Sequence, residues 1–209
     1  PWNKYLGSGF PVKNGIPDVP GEIFPMRSLV VDFWQQGIIP LWNPYIFSGN
    51  PLLANFQAAV FFPLNILFFI LPKIEAWSFL VIMQPVLAGL FTFFFVRSLG
   101  IKKIPAVVSG IAFMFCGFLT VWNTYLTLGF TILFLPLILF LTEKFFQEKK
   151  IFFLPFLTLF LAFSFFSGHI QTWTYLFLAV IVYGTVKFIL LRKEISIKNY
   201  LYWLIFLFL

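Results

Sequence analysis

Apolar segments of about the length of a membrane span follow one another along most of this chain. Five are candidate crossings and a sixth begins at Tyr200; the five are residues 74–97, 104–122, 126–142, 151–167 and 172–191. About 20 apolar residues are needed for a span, because a helix rises about 1.5 Å per residue across a hydrocarbon core of about 30 Å. The 209 residues are 61% hydrophobic and 10% charged, unlike a soluble domain. We predict an all-α integral membrane protein, a polytopic helix bundle.

Basic residues alternate between the junctions of these segments. Ten of the 14 Lys and Arg residues lie in three junctions (97–103, 144–150 and 187–198), whereas junctions 123–125 and 168–171 contain none. The positive-inside rule therefore predicts that the basic junctions are cytoplasmic and the other two lie outside. The net charge of +7 then reflects topology, and we expect no nucleic-acid partner because the basic residues form no stripe on a polar face.

The only long polar stretch lies at the start of the chain. We predict two parts, an extracytoplasmic loop over residues 1–51 and a transmembrane helical bundle over residues 52–209. Residues 52–71 are apolar but interrupted by polar residues and proline, so we expect a re-entrant or interfacial hairpin there. The sequence begins with Pro1 and stops inside an apolar run, which predicts a fragment truncated at both ends.

A short amphipathic helix is predicted at residues 22–36 of this loop. Pro20 stands near its start, Glu22 lies in its first turn where the helix dipole favours an acid, and Gly37 ends it. Its apolar side suggests a helix lying on the bilayer surface. The prolines that follow it at residues 40–51 prevent a continuous helix.

Polar side chains on the predicted outer face are the candidates for chemistry. A carboxylate such as Asp18 can take a proton from a hydroxyl or hold a divalent cation, and Arg27 can clamp a phosphate. The ordinary alternatives are that Asp18 caps the helix, that Arg27 contacts lipid headgroups, and that Glu22 and Asp32 are solvated surface. His169, between two apolar segments, is either a functional residue near the membrane or a helix cap.

One segment resembles a known protein family. Residues 37–55, GIIPLWNPYIFSGNPLLAN, resemble the signature outer loop of the YfhO-like bacterial membrane proteins. The resemblance extends to further segments: QAAVF and PLN within residues 57–65, Asp18 followed by Pro25-Met26-Arg27, GIAFMFCGF at 110–118, and SGHIQT at 167–172. It covers nearly the whole chain.

The resemblance implies a polytopic glycosyltransferase of the GT-C type in the bacterial cytoplasmic membrane. Such a protein would move a sugar from a polyprenyl-phosphate donor to a cell-envelope polymer, such as a teichoic acid, on the outer leaflet. Its partners would be the lipid bilayer, the polyprenyl-phosphate-linked sugar and the polymer acceptor. The alternatives are a translocator of lipid-linked sugar or polymer, and a membrane assembly protein without catalysis.

The resemblance also assigns roles to individual residues. Asp18 would be catalytic, and Arg27 and His169 would bind the phosphate. The candidate cofactor is a divalent cation, Mg²⁺ or Mn²⁺, with Asp18 and Glu22 as its ligands. The substrate pocket would be formed by Trp42, Asn43, Tyr45, Asn55, Gln57 and Gln171.

Overall fold

A computed structural model describes residues 18–209, and the chain divides into two units, Pro1–Val60 and Phe61–Leu209. The described part of the first unit consists of short elements in this order: a π-helical turn Val19–Ile23, α1 Phe24–Gln35, β1 Trp42–Asn43, β2 Asn50–Pro51 and a 3-10 turn Phe56–Ala58.

Helix α1 confirms the amphipathic helix predicted at residues 22–36, with a π-helical turn in place of its first turn. Gly37 ends it with a left-handed φ of 72°. The Gly37 N–H donates to the Trp34 carbonyl at 3.0 Å and the Ile38 N–H donates to the Phe33 carbonyl at 2.8 Å. This pair of bonds is the Schellman motif, which satisfies carbonyls that the helix leaves unpaired at its end.

The apolar face of α1 is covered by the chain itself. Met26 and Val30 form a buried cluster with Leu52, Ala58 and Val60. This face was expected to lie on the bilayer surface, but it packs on residues 52–60, which follow β2. The same contacts explain why the first unit extends to Val60 and not only to Pro51.

The proline-rich loop forms a small antiparallel pair in which Trp42 lies opposite Pro51 and Asn43 opposite Asn50. Gly49 has a φ of 105°, and a Cβ atom there would lie 2.4 Å from the Trp42 indole ring. Only glycine fits this position, because it combines a left-handed backbone with the close approach of a large ring.

The second unit is helical. Its elements are a 3-10 turn Pro63–Ile66, α2 Leu67–Ile70, α3 Lys73–Ser98, α4 Lys103–Met114, α5 Gly117–Trp122, a 3-10 turn Asn123–Tyr125, α6 Thr127–Glu148, α7 Phe153–Phe166, α8 Ile170–Leu190 and α9 Ile197–Phe208. The elements within residues 52–71 are each at most four residues long, so this segment contains no continuous crossing, as predicted. Its re-entrant placement stays a prediction.

Among the described residues, four helical segments are long and apolar enough to cross a membrane: α3, Lys103–Tyr125 (α4 and α5 with the turn that follows), α6 and α8. Helix α7 has 14 residues and would span about 21 Å, less than the hydrocarbon core of about 30 Å. The structure is therefore an all-α fold in which four helical segments have the full length of a membrane span, where the sequence suggested five and the start of a sixth. The crossing of α7, which the alternation of basic junctions requires, stays a prediction.

Helix α6 is the centre of the second unit. Within the most apolar 18-residue stretch of each helical segment, the buried share is 67% for α6, 28% for α3 and 17% for both Lys103–Tyr125 and α8. Helix α6 packs against α3, α7 and α8, while α4 packs on α3 and α9 on α7. Helices α3 and α4 meet closely at Gly89 and Gly110, where a Cβ on Gly110 would lie 2.8 Å from the Gly89 carbonyl oxygen. Small residues at such contacts are typical of membrane helices.

Candidate functional site

A pocket of about 370 Å³ lies within the first unit, between α1 and the turn that follows β1. Its polar lining comes from Glu22, Ser28, Asp32, Asn43 and Tyr45. Glu22 and Asp32 are ten residues apart on one continuous helical segment, so they lie about 15 Å apart along its axis. The pocket is therefore an elongated groove with a carboxylate toward each end and an amide and a phenol on its other wall.

The amide groups of this region also hold the loop in shape. The Asn43 side-chain oxygen accepts a bond from the Tyr45 backbone N–H at 2.9 Å, which closes an Asx turn around the intervening proline. Asn55 caps the following 3-10 turn by accepting from the Gln57 N–H at 3.1 Å. Both Asn43 and Asn55 line a second, smaller cavity of about 120 Å³, which also contacts Glu22.

The remaining predicted pocket residues of the first unit lie outside the larger cavity. The candidate site residues of this unit that are not in its lining are Asp18, Arg27, Trp42, Asn55 and Gln57. The Trp42 ring covers Gly49 and is half exposed, whereas the Tyr45 ring is 80% exposed at the edge of the pocket. Tyr45 is therefore the aromatic ring most accessible to a ligand there.

Asp18 precedes the π-helical turn and is exposed. Within the described part of the chain its side chain makes no capping hydrogen bond to the helix, so the structure does not support the capping interpretation. Asp18 and Glu22 are four residues apart on helical backbone, a spacing that places two side chains on one side of a helix.

These two carboxylates fit one mode of divalent cation binding. Mg²⁺ is commonly held by one or two carboxylates, with water and substrate phosphate as the other ligands. The part of the chain that the structure describes contains no group of three or more Asp, Glu, His or Cys side chains that could hold a metal ion. A cation at Asp18 and Glu22 would thus need most of its ligands from water and substrate.

Arg27 is fully buried. Burial lowers its pKa from 12.5 to about 9, because a low-dielectric environment disfavours the charged form. The guanidinium group is still mainly protonated at neutral pH. It can act on a ligand through its electric field, but a direct contact would need the side chain to become accessible.

His169 is the N-cap of α8 in the second unit. Its Nδ1 accepts the Thr172 backbone N–H at 3.2 Å and lies 2.8 Å from the Thr172 hydroxyl. Partial burial lowers the pKa of the imidazole below 6.5, so it is neutral at pH 7 and carries its proton on Nε2. His169 can therefore donate one hydrogen bond to a phosphate, from its neutral Nε2–H group. The neighbouring Gln171 is exposed and donates to the Tyr175 hydroxyl at 2.9 Å.

A buried charged network in the second unit was not identified from the sequence. The Glu143 carboxylate is 2% exposed. It accepts bonds from the Lys187 ammonium at 2.8 Å, the Tyr183 hydroxyl at 2.6 Å and the Gln147 amide at 2.7 Å. The signal that could have revealed it is a lysine inside an apolar segment, since an ion at that depth needs a partner.

Comparisons with known proteins identify no relative of this chain. No protein-family model matches it, and neither a curated protein nor a solved structure is similar enough to count as a match. The function must therefore be argued from the residues of the chain itself.

Proposed function

We propose that the protein is a GT-C-type membrane glycosyltransferase that moves a sugar from a polyprenyl-phosphate donor to a cell-envelope polymer at the outer leaflet. The observation that carries this proposal is the groove lined by Glu22, Asp32, Asn43 and Tyr45. Its second wall belongs to the segment 37–55, which resembles the outer loop of the YfhO-like proteins. Carboxylate and amide oxygens accept hydrogen bonds from sugar hydroxyls, and an exposed aromatic face suits a sugar ring.

In the proposed reaction Asp18 acts as general base. Its carboxylate takes the proton of an acceptor hydroxyl as that oxygen attacks the anomeric carbon of the donor sugar. The bond from that carbon to the lipid phosphate oxygen breaks, and the phosphate leaves with the bonding electrons, so the anomeric configuration inverts. Glu22 and Asp32 hold the sugar hydroxyls in the groove, which fixes the orientation that the attack needs.

Negative charge grows on the lipid phosphate as it leaves. Preorganised positive charge and N–H donors stabilise such a transition state more than the ground state. Arg27 supplies a fixed positive charge at neutral pH. The resemblance also assigns phosphate binding to His169 of the second unit, whose Nε2–H group is a neutral donor. In the alternative form of the mechanism, Asp18 would orient the acceptor hydroxyl through a divalent cation that it binds together with Glu22, and that cation would also neutralise charge on the phosphate.

The translocator alternative is less well supported by the bundle. Buried polar side chains on α6 lie near its two ends, at Thr127 and Thr131 and at Thr142 and Glu143. The buried side chains between them are apolar: Leu133, Phe134, Leu137, Ile138 and Leu141. A path for a polar sugar would need polar groups through the whole depth of the membrane.

Replacing Asp18 by Asn in the intact protein tests the proposal. The isosteric amide cannot accept the proton, so sugar incorporation into envelope polymer should fall at least about 100-fold at unchanged protein level. The matched control is Glu75→Gln, which removes an exposed acid in the first turn of α3 and should leave incorporation unchanged. Wild-type incorporation by the Asp18→Asn protein would contradict the catalytic role. If the Asp18→Asn protein kept wild-type incorporation while deletion of the protein abolished it, the two results together would favour the assembly protein without catalysis.

A further inference from the structure

A groove of about 640 Å³ runs along one face of α8 in the second unit. Its lining is apolar except for one tyrosine and one lysine and consists of Leu99, Leu178, Ala179, Val182, Tyr183, Val186, Lys187 and Leu190. The α8 positions recur at the three- and four-residue spacing of a single helix face. From residue 178 to residue 190 this face is about 18 Å long. That length is close to one leaflet of a hydrocarbon core about 30 Å thick.

One end of this groove lies where three helices are tied together. Lys187 on α8 contacts Glu143 on α6 at 2.8 Å, and the Gln147 amide, one turn further along α6, donates to the Ser98 carbonyl at 2.8 Å. Ser98 is the last residue of α3, so Leu99 forms the wall of the groove at this end. The opposite end, at Leu178, is apolar.

The connection that contains Leu99 is strongly basic. Between α3 and α4 the chain reads RSLGIKK, with Arg97, Lys102 and Lys103 all exposed. The Arg97 side chain folds over this connection and donates to the Ile101 carbonyl at 2.5 Å. Lys187 adds little net charge because Glu143 neutralises it. The wall of the apolar groove at Leu99 therefore belongs to a connection that carries three exposed basic residues.

We propose that this groove binds one anionic phospholipid of the surrounding bilayer. An acyl chain lies along α8 between Leu178 and Leu190, and the phosphate lies at the connection between Arg97 and Lys103. This face of α8 is open to lipid, since only 17% of the most apolar 18-residue stretch of the helix is buried within the protein. A zwitterionic lipid fits the same apolar groove but gains less from the basic connection, so charge selects the headgroup. This site is independent of the proposed sugar transfer.

Native mass spectrometry of the intact protein with added phosphatidylglycerol and phosphatidylcholine of identical acyl chains tests the site. One phosphatidylglycerol should be retained in preference to phosphatidylcholine. The double variant Lys102→Gln/Lys103→Gln should lower phosphatidylglycerol affinity about thirtyfold, equivalent to about 2 kcal/mol for two basic residues. Val182→Trp, which fills the groove, should lower the affinity for both lipids.

The matched control removes the same charge elsewhere. Lys149→Gln/Lys150→Gln changes two exposed lysines in the connection between α6 and α7 and should keep the preference for phosphatidylglycerol. Equal retention of the two lipids by the wild-type protein would overturn the proposal. So would a control variant that loses the preference as fully as the Lys102→Gln/Lys103→Gln protein, or a Val182→Trp protein that binds phosphatidylglycerol normally.

Discussion

Replacing Lys187 by Met should destabilise the helix bundle, because it removes the cation that neutralises a buried carboxylate. Glu143 is 2% exposed and its Oε1 atom lies 2.8 Å from the Lys187 ammonium. Methionine is apolar and close to lysine in length, so the substitution removes the charge and leaves most of the packing. The carboxylate keeps two neutral donors, the Tyr183 hydroxyl at 2.6 Å and the Gln147 amide at 2.7 Å.

The expected loss follows from these contacts. Removing one partner of a buried ion pair typically costs about 3–5 kcal/mol. Hydrogen bonds to the remaining charge, each contributing about 1.5–3 kcal/mol, and the 24% exposure of the Lys187 side chain reduce that loss. We expect the free energy of unfolding to fall by about 2–3 kcal/mol. Adding Glu143→Gln removes the second charge and keeps an acceptor for Tyr183, so the double variant should lie within about 1 kcal/mol of the wild type.

Detergent-denaturation curves followed by helical circular dichroism measure these differences. The control is Lys144→Met, which breaks an exposed pair with Glu148 and should not shift the midpoint, since surface ion pairs contribute little. The reasoning would be refuted if Lys187→Met unfolded like Lys144→Met. A double variant as unstable as Lys187→Met would refute it as well, because the loss would then not arise from an unpaired charge.

Two further substitutions test the loop and the helix cap. Gly49→Ala should destabilise the first unit by about 1–3 kcal/mol because it adds left-handed strain and displaces Trp42; faster limited proteolysis of the loop than in wild type checks this, and an unchanged rate would contradict it. The lowered pKa of His169 means that the unfolded chain binds its proton first, so stability should fall as pH decreases below 6.5. His169→Asn retains a capping oxygen and should remove this part of the pH dependence of the unfolding midpoint; an equal pH slope in both proteins would refute it.

Local chemistry could be predicted from the sequence. The end of α1 depends on the backbone freedom of Gly37, and the turn at Asn43 depends on a side chain bonding to its own backbone two residues later. Gln84 is a polar residue inside an apolar segment, where a polar side chain needs a partner, and its amide donates to the Asn123 carbonyl at 2.7 Å. Each of these features depends either on a few neighbouring residues or on one polar side chain that must form a hydrogen bond.

Features that depend on distant residues could not be predicted. The candidate crossing at residues 126–142 stops before Glu143, but helix α6 continues to Glu148. A carboxylate ends an apolar segment unless a cation compensates it, and that cation, Lys187, is supplied by another helix. The covered face of α1 has the same explanation, since Leu52 and the residues after it complete its packing.

The candidate site could likewise be predicted from the sequence only in part. The sequence singled out Glu22, Asn43 and Tyr45, and the structure brings them to one pocket. Asp32 was only a possible surface acid, because its position toward the far end of the groove depends on how the loop folds against α1. Burial of Arg27 was likewise not visible, since α1 carries apolar residues on more than one side.

The central claim is that the polar loop over residues 1–51 and the His169 turn lie outside the membrane, opposite the basic connections. Cys116 is the only cysteine, so a Cys116→Ser background allows single cysteines to be labelled on intact cells with a membrane-impermeant maleimide. We predict that Gln36→Cys and His169→Cys react from outside, whereas Lys149→Cys reacts only after permeabilisation. Equal reactivity of His169→Cys and Lys149→Cys in intact cells would contradict the claim, because α7 would then not cross the membrane.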